Sequence, residues 1–95
     1  MNDELSDAEL DLIEARAARA TAGPWRAFVE GRDHTSGDTF IQTGSMDDAW
    51  SDMYVKFSFP GGSRQAGPDD LDFIAASRHD IVRLVAEVRR LRARS

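Results

Sequence analysis

The chain has no cysteine among its 95 residues. Disulfides and thiolate metal sites are thereby excluded, and stability has to come from packing, completed by a second copy where one chain cannot bury enough. No apolar run approaches the roughly 20 residues that a membrane-spanning helix needs. The opening stretch, "MNDELSDAEL", has no apolar segment of the signal-peptide kind, so a cytoplasmic protein is expected. Basic residues are missing altogether from residues 1–15, which hold Asp3, Glu4, Asp7, Glu9, Asp11 and Glu14.

What is present fits one small folded domain over residues 1–95. The hydrophobic fraction is 41% and the charged fraction 31%, which argues against disorder. A chain this short buries only about 60–65% of its unfolded surface, so its core is thin. The net charge of −5 hides a polarity: from Arg78 onward there are six arginines against Asp80 and Glu87 alone.

The first helix is marked by Ser6 and Glu9, an S-x-x-E capping box, with Leu5 and Leu10 at the two positions of a hydrophobic staple. Leu10, Ile13, Ala17 and Ala20 follow at helical spacing, and Gly23-Pro24 closes the segment, predicting a helix over 7–20. Its alanines make a shallow stripe that a neighbour can approach closely. Three strands come next: "WRAFVE" at 25–30, "DTFIQT" at 38–43 and "WSDMYVKFSF" at 50–59, the last with Met53, Val55, Phe57 and Phe59 in strict alternation. Short polar connections at 31–37 and 44–49 imply an antiparallel meander. "PGGSRQAGP" at 60–68 reads as an exposed loop. Pro68 with Asp69, Asp70 and Asp72 marks a helix start, and Leu71, Ile74 and Ala75 face the core. Ile81, Leu84, Val88 and Leu91, widened by Val85, then form two heptads of a helical seam. The expected fold is α+β: an N-terminal helix, a three-stranded antiparallel meander and a long or broken C-terminal helix.

Residues "IEARAARATAGPW" (13–25) and "DLDFIAASRHDIVRLVAEVRRLRA" (70–93) resemble the Ead-like proteins of phages and prophages, common in actinobacterial genomes. Thr21, Gly23, Pro24 and Trp25 match that family's T-P-G-P-W box, with Ala22 in place of its first proline. Asp70, Phe73, Ile74, Ala75, Arg78, Asp80, Leu84, Glu87, Val88, Arg89 and Leu91 match its second box. Arg83 stands where that box has a proline, so the helix break a proline would enforce does not carry over with the match. The resemblance implies a small phage or prophage accessory protein of unestablished biochemical role. It brings no catalytic residues.

Chemistry-bearing residues are few. His34 beside Asp33, and His79 beside Asp80, could serve as a general base or hold a metal. Asp33 and His34 are also ordinary turn residues, and Asp80 is a natural N-cap for a helix beginning at Ile81. No H-x-x-x-H or zinc spacing supports the sharper reading, and the acids Asp47, Asp48 and Asp52 lack an EF-hand's glycine and distal glutamate. The Gly-rich 60–67 stretch has no G-K-[ST] and is not a phosphate loop of the Walker kind. Trp25 and Trp50 are expected in the core. Phe28, Phe40 and Tyr54 fall on the sheet's second face, a binding surface if the helices cover only the first. No enzyme activity, cofactor or metal is therefore expected. The seam of Ile81, Leu84, Val88 and Leu91, edged by Arg89 and Arg92, is the expected partner-binding site, and a second copy or another protein is its expected occupant. The alternative is weak nucleic-acid binding through the arginine-rich C-terminal helix, although Arg78, Arg89 and Arg92 lie on one side of the seam and Arg83, Arg90 and Arg94 on the other. No membrane partner is expected.

Overall fold

Ser6 and Glu9 start the first helix as their spacing predicts. In a computed structural model describing residues 4–44 and 50–94, the Glu9 amide donates to Ser6 Oγ and the Ser6 amide to Glu9 Oε1, each at 3.0 Å. Two of the free donors at the helix start are thus satisfied. Helix α1 runs Asp7–Arg19 and buries Leu10. It ends differently from the expectation. The chain turns extended at Ala20, whose amide is bonded to the carbonyls of Arg16 and Ala17, and Gly23 takes no left-handed conformation. Gly23 instead lies against α2, where an added Cβ would come 3.3 Å from His79. The Gly23–Pro24 peptide bond is cis.

Strands β1 (Trp25–Phe28), β2 (Phe40–Thr43) and β3 (Ser51–Met53) form the expected antiparallel meander, in the order β1-β2-β3. Ala27 pairs with Ile41 and Ile41 with Met53, so one face of the sheet carries the apolar row that Trp25 extends. The 31–37 turn is closed by Asp33, whose carboxylate accepts from the Val29 amide at 2.8 Å.

The strand expected over 50–59 is broken in two. Beyond Met53 the chain leaves the sheet, and Lys56–Phe59 (β4) pairs with Gly62–Gln65 (β5) as a separate antiparallel hairpin. The expected 60–68 loop is therefore half strand. Pro60 and Gly61 sit at the two central positions between Phe59 and Gly62, and Gly61 has a φ of +95°. That is the type II turn pattern, with proline setting the first residue and glycine supplying the positive φ of the second. The hairpin is anchored at its base, where the Ala66 amide donates to the Val55 carbonyl at 2.9 Å. Beyond that base it approaches no other helix or strand among the described residues. Phe57 and Phe59 are accordingly exposed rather than core, and so is Trp50 at 46%.

Helix α2 runs unbroken from Pro68 to Ala93. Asp80 lies inside it and is not an N-cap. At 26 residues it spans about 39 Å. Its first half packs on the sheet: Leu71 and Ala75 join Ile41 and Ala66 in the buried cluster, with Trp25, Met53, Val55 and Ile74 around them. Its second half runs past the sheet and meets α1, where Leu10 and Val85 are both buried. Among the described residues the largest side chains buried completely are Leu10, Ile41 and Leu71. The radius of gyration is 16.8 Å, against about 12 Å for a compact chain of this length, and the molecule measures 50 × 40 × 22 Å. The loop at 45–49, with Asp47 and Asp48, lies outside the described residues.

An ion-pair cluster ties the 31–37 turn to the start of α2. Arg32 donates to both carboxylate oxygens of Asp72, at 2.8 and 2.9 Å, and its Nε donates to Asp33 at 3.0 Å. The Arg32 guanidinium holds both carboxyls below their ordinary range, helped at Asp33 by the Val29 amide. Because the folded values are lowered, the cluster's contribution is complete above the unfolded carboxylate value near 4 and is lost as pH falls through the folded values.

Two tests follow from these contacts. Ser6→Ala should cost about 1 kcal/mol in urea unfolding by removing the cap acceptor. Arg32→Gln should lower the melting temperature at pH 6, and its deficit relative to the unmodified chain should shrink as pH drops from about 5 to about 2. A deficit independent of pH would show that Arg32 acts through packing alone.

Candidate functional site

Helix α1 runs antiparallel to the C-terminal half of α2, and the contact between them is narrow. Leu10 and Val85 plug it in the middle, and arginines clamp its edge. Arg89 Nη2 donates to Asp11 at 2.7 Å with Glu14 at 3.7 Å, and Arg92 donates to Asp7 at 3.1 Å and to the Leu5 carbonyl. C-terminal arginines therefore pair with Asp7, Asp11 and Glu14 of the same chain. Arg89 and Arg92 thus hold the chain's own first helix. On this half of α2 Val85 is buried, Val88 is half-buried, and Ile81, Leu84 and Leu91 are exposed.

The seam itself faces outward. Leu84 is 62% exposed, Leu91 50% and Ile81 42%, while Val88 is half-buried. Phe73, one edge of the same helix face, is 75% exposed. The small side chains of α1 leave a furrow between the two helices. One part, of about 360 Å³, is floored by Ala17, Ala20 and Trp25 and walled by Phe73 and Ile81. A second part, of about 370 Å³, lies among Leu10, Leu84 and Val88. The two share Ile13, Arg16 and Ile81, so they form one apolar trough along the helix pair. Ala17 and Ala20, read as a shallow stripe in the sequence, leave this space open because no long side chain fills it.

Of the other four C-terminal arginines, two are engaged within the chain. Arg78 donates to the Thr21 carbonyl at 3.1 Å and lies over the Trp25 ring, and Arg90 bonds Glu87 on its own helix. Arg83 and Arg94 lie on the outer surface.

The sheet's second face carries the aromatic row anticipated in the sequence. Phe28 and Phe40 stack at 5.6 Å, Tyr54 adjoins Phe40 at 5.8 Å, and Arg26 caps Phe28 at 5.1 Å. His34 belongs to this row. Its ring meets Phe40 edge-on at 5.5 Å and Phe28 at 6.1 Å, and Nδ1 is bonded to the Ser36 hydroxyl. Its ring packs over two phenylalanines. Among the described residues no group of three or more histidines or acids is placed to hold a metal. No helix among them is long and apolar enough to cross a membrane.

No family model, curated protein or solved structure matches the chain.

The contrast between plugged and open positions can be measured at protein concentrations low enough to prevent pairing. Leu10→Ala should cost about 2–5 kcal/mol in urea unfolding, as a core truncation does. Leu84→Ala should change stability by less than about 0.5 kcal/mol, as a surface change does. Equal costs at the two sites would mean that the single chain buries Leu84.

Proposed function

We propose that this protein is a protein–protein interaction module that pairs with a second copy of itself through the open face of α2. One observation carries the reading: the seam of Ile81, Leu84, Val88 and Leu91 lies along a trough that the chain's own first helix covers on one side only. Among the described residues eleven large apolar side chains are exposed by 41% or more, while three are buried completely, and a chain with so little interior gains most by covering the rest. Burying a leucine or isoleucine fully is worth roughly 1.5–3 kcal/mol, well above the 1 kcal/mol or less of an exposed ion pair. The resemblance of residues 13–25 and 70–93 to Ead-like proteins supports a phage or prophage accessory setting.

Nucleic-acid binding is the weaker reading. It requires several arginines aimed at phosphates from one face. Here Arg78, Arg89, Arg90 and Arg92 each bond groups of their own chain.

Sedimentation equilibrium tests the pairing. The mass should rise from one chain to two with concentration and should hold at about 0.5 M salt, where the Debye length is only a few ångströms. Leu84→Asp should give a folded monomer, since that side chain already meets water in the single chain. A wild-type mass of one chain at every concentration would end the proposal. An association that disappears in salt would favour the ionic alternative.

A further inference from the structure

We propose that the β4–β5 ribbon binds single-stranded nucleic acid, DNA or RNA, by stacking bases on Phe57 and Phe59. This surface is separate from the α2 seam and does not depend on self-association. The pairing of the two strands sorts their side chains onto two faces. Phe57 and Phe59 are alternate residues of one strand and share a face with their cross-strand partners, Arg64 and Gly62. Both rings meet water, at 41% and 51% exposure. Arg64 lies over the Phe57 ring, 4.5 Å from its centroid. Gly62 lies under the edge of Phe59, where an added Cβ would come 3.4 Å from the ring. The opposite face carries Lys56, Ser58, Ser63 and Gln65.

Charge and side-chain type together select the partner. Residues 53–68 hold Lys56 and Arg64 and no acid, in a chain whose net charge is −5. Among the described residues neither cation pairs with an acid of its own chain. The ribbon is therefore a basic projection from an acidic body, suited to an anion. The paired strands also carry no aliphatic side chain. Besides two rings they offer ammonium, guanidinium, hydroxyl and amide groups, all of which bond phosphate or sugar oxygens. Rings beside such donors suit a single strand, whose unstacked bases present their π-faces. The two rings are set about 6.8 Å apart along the strand, twice the roughly 3.4 Å rise per nucleotide of a stacked strand, so each can take its own base. A duplex offers no free base face and would leave both rings wet. Stacking also lowers the number of cations needed, which is why two suffice here where a helix gripping phosphates alone needs several.

Fluorescence anisotropy of the full chain with labelled oligothymidine and oligouridine strands of about 12 nucleotides tests the site. At least one of the two should bind, and more tightly than a DNA duplex of the same length. The logarithm of the affinity should fall with the logarithm of salt at a slope of about −1.4, the value for two phosphates on a single strand, and Arg64→Gln should halve that slope. Phe57→Leu and Phe59→Leu keep apolar bulk and remove the flat face. Each should weaken binding about 5-fold or more, the low end of what one stacked base contributes. Phe57→Trp enlarges the face and should tighten binding, and it gives the same test if leucine melts the ribbon. Absence of binding to both strands, full affinity in the two leucine variants, a tryptophan variant that binds no more tightly, or preference for the duplex would each overturn the proposal. None of these outcomes bears on whether the chain pairs through α2.

Discussion

The structure turns on how one helix of about 39 Å is shared between two supports. The sheet covers only the first half of α2, through Leu71 and Ala75 against Ile41. The second half would stand in water without α1, and α1 reaches it through one plug, Leu10 against Val85, flanked by the Arg89 and Arg92 clamps. The clamps are solvent-exposed, so each contributes at most about 1 kcal/mol, and Leu10 supplies most of the hold. The capping box therefore matters beyond its own turn. It fixes where α1 begins and so brings Asp7, Asp11 and Leu10 to the height of Arg92, Arg89 and Val85.

This division explains why the apolar face of α2 stays open. A first helix with leucines at positions 17 and 20 would fill the trough with its own side chains. Alanines there keep the helix pair connected only near Leu10 and leave the face edged by Phe73 and Leu84 uncovered. The same economy on the sheet produces the opposite result. There the 31–37 turn folds back so that His34 lies against Phe28 and Phe40, and the aromatic row is partly covered from within the chain.

Both helices could be read from the residues because their signals are local. Ser6, Glu9, Leu5 and Leu10 fix the start of α1 within six residues, and Pro68 with its acids fixes the start of α2. The alternation of 50–59 misled, because a period of two says that a segment is extended without saying which strand pairs with it. Phe57 and Phe59 continue the apolar phase of Met53 and Val55, yet they belong to another sheet. The missed signal was Pro60-Gly61, a two-residue turn signature directly after Phe59 that folds the end of the predicted strand back on Gly62–Gln65. Trp50 was misplaced for a related reason, since bulk alone does not bury a side chain at a strand end. The arginines could be placed on the edges of the seam from spacing. Their partners depended on the antiparallel approach of α1, which no local pattern encodes.

The isolation of the β4–β5 hairpin changes how the molecule must open. Its ladder hydrogen bonds pair Lys56–Phe59 with Gly62–Gln65 and nothing else, and none of those eight residues belongs to the Ile41–Leu71 core. A two-stranded ribbon of this kind is only marginally stable by itself. The chain accordingly holds two cooperative units of unequal strength: a ribbon that can melt and re-form while the rest stays folded, and the helix–sheet body joined to it through Val55 and Ala66. Amide protons of the ribbon would leave by a local route, far faster than those of α2, and the length or sequence of its Pro60-Gly61 tip can change with little consequence for the body's folding equilibrium.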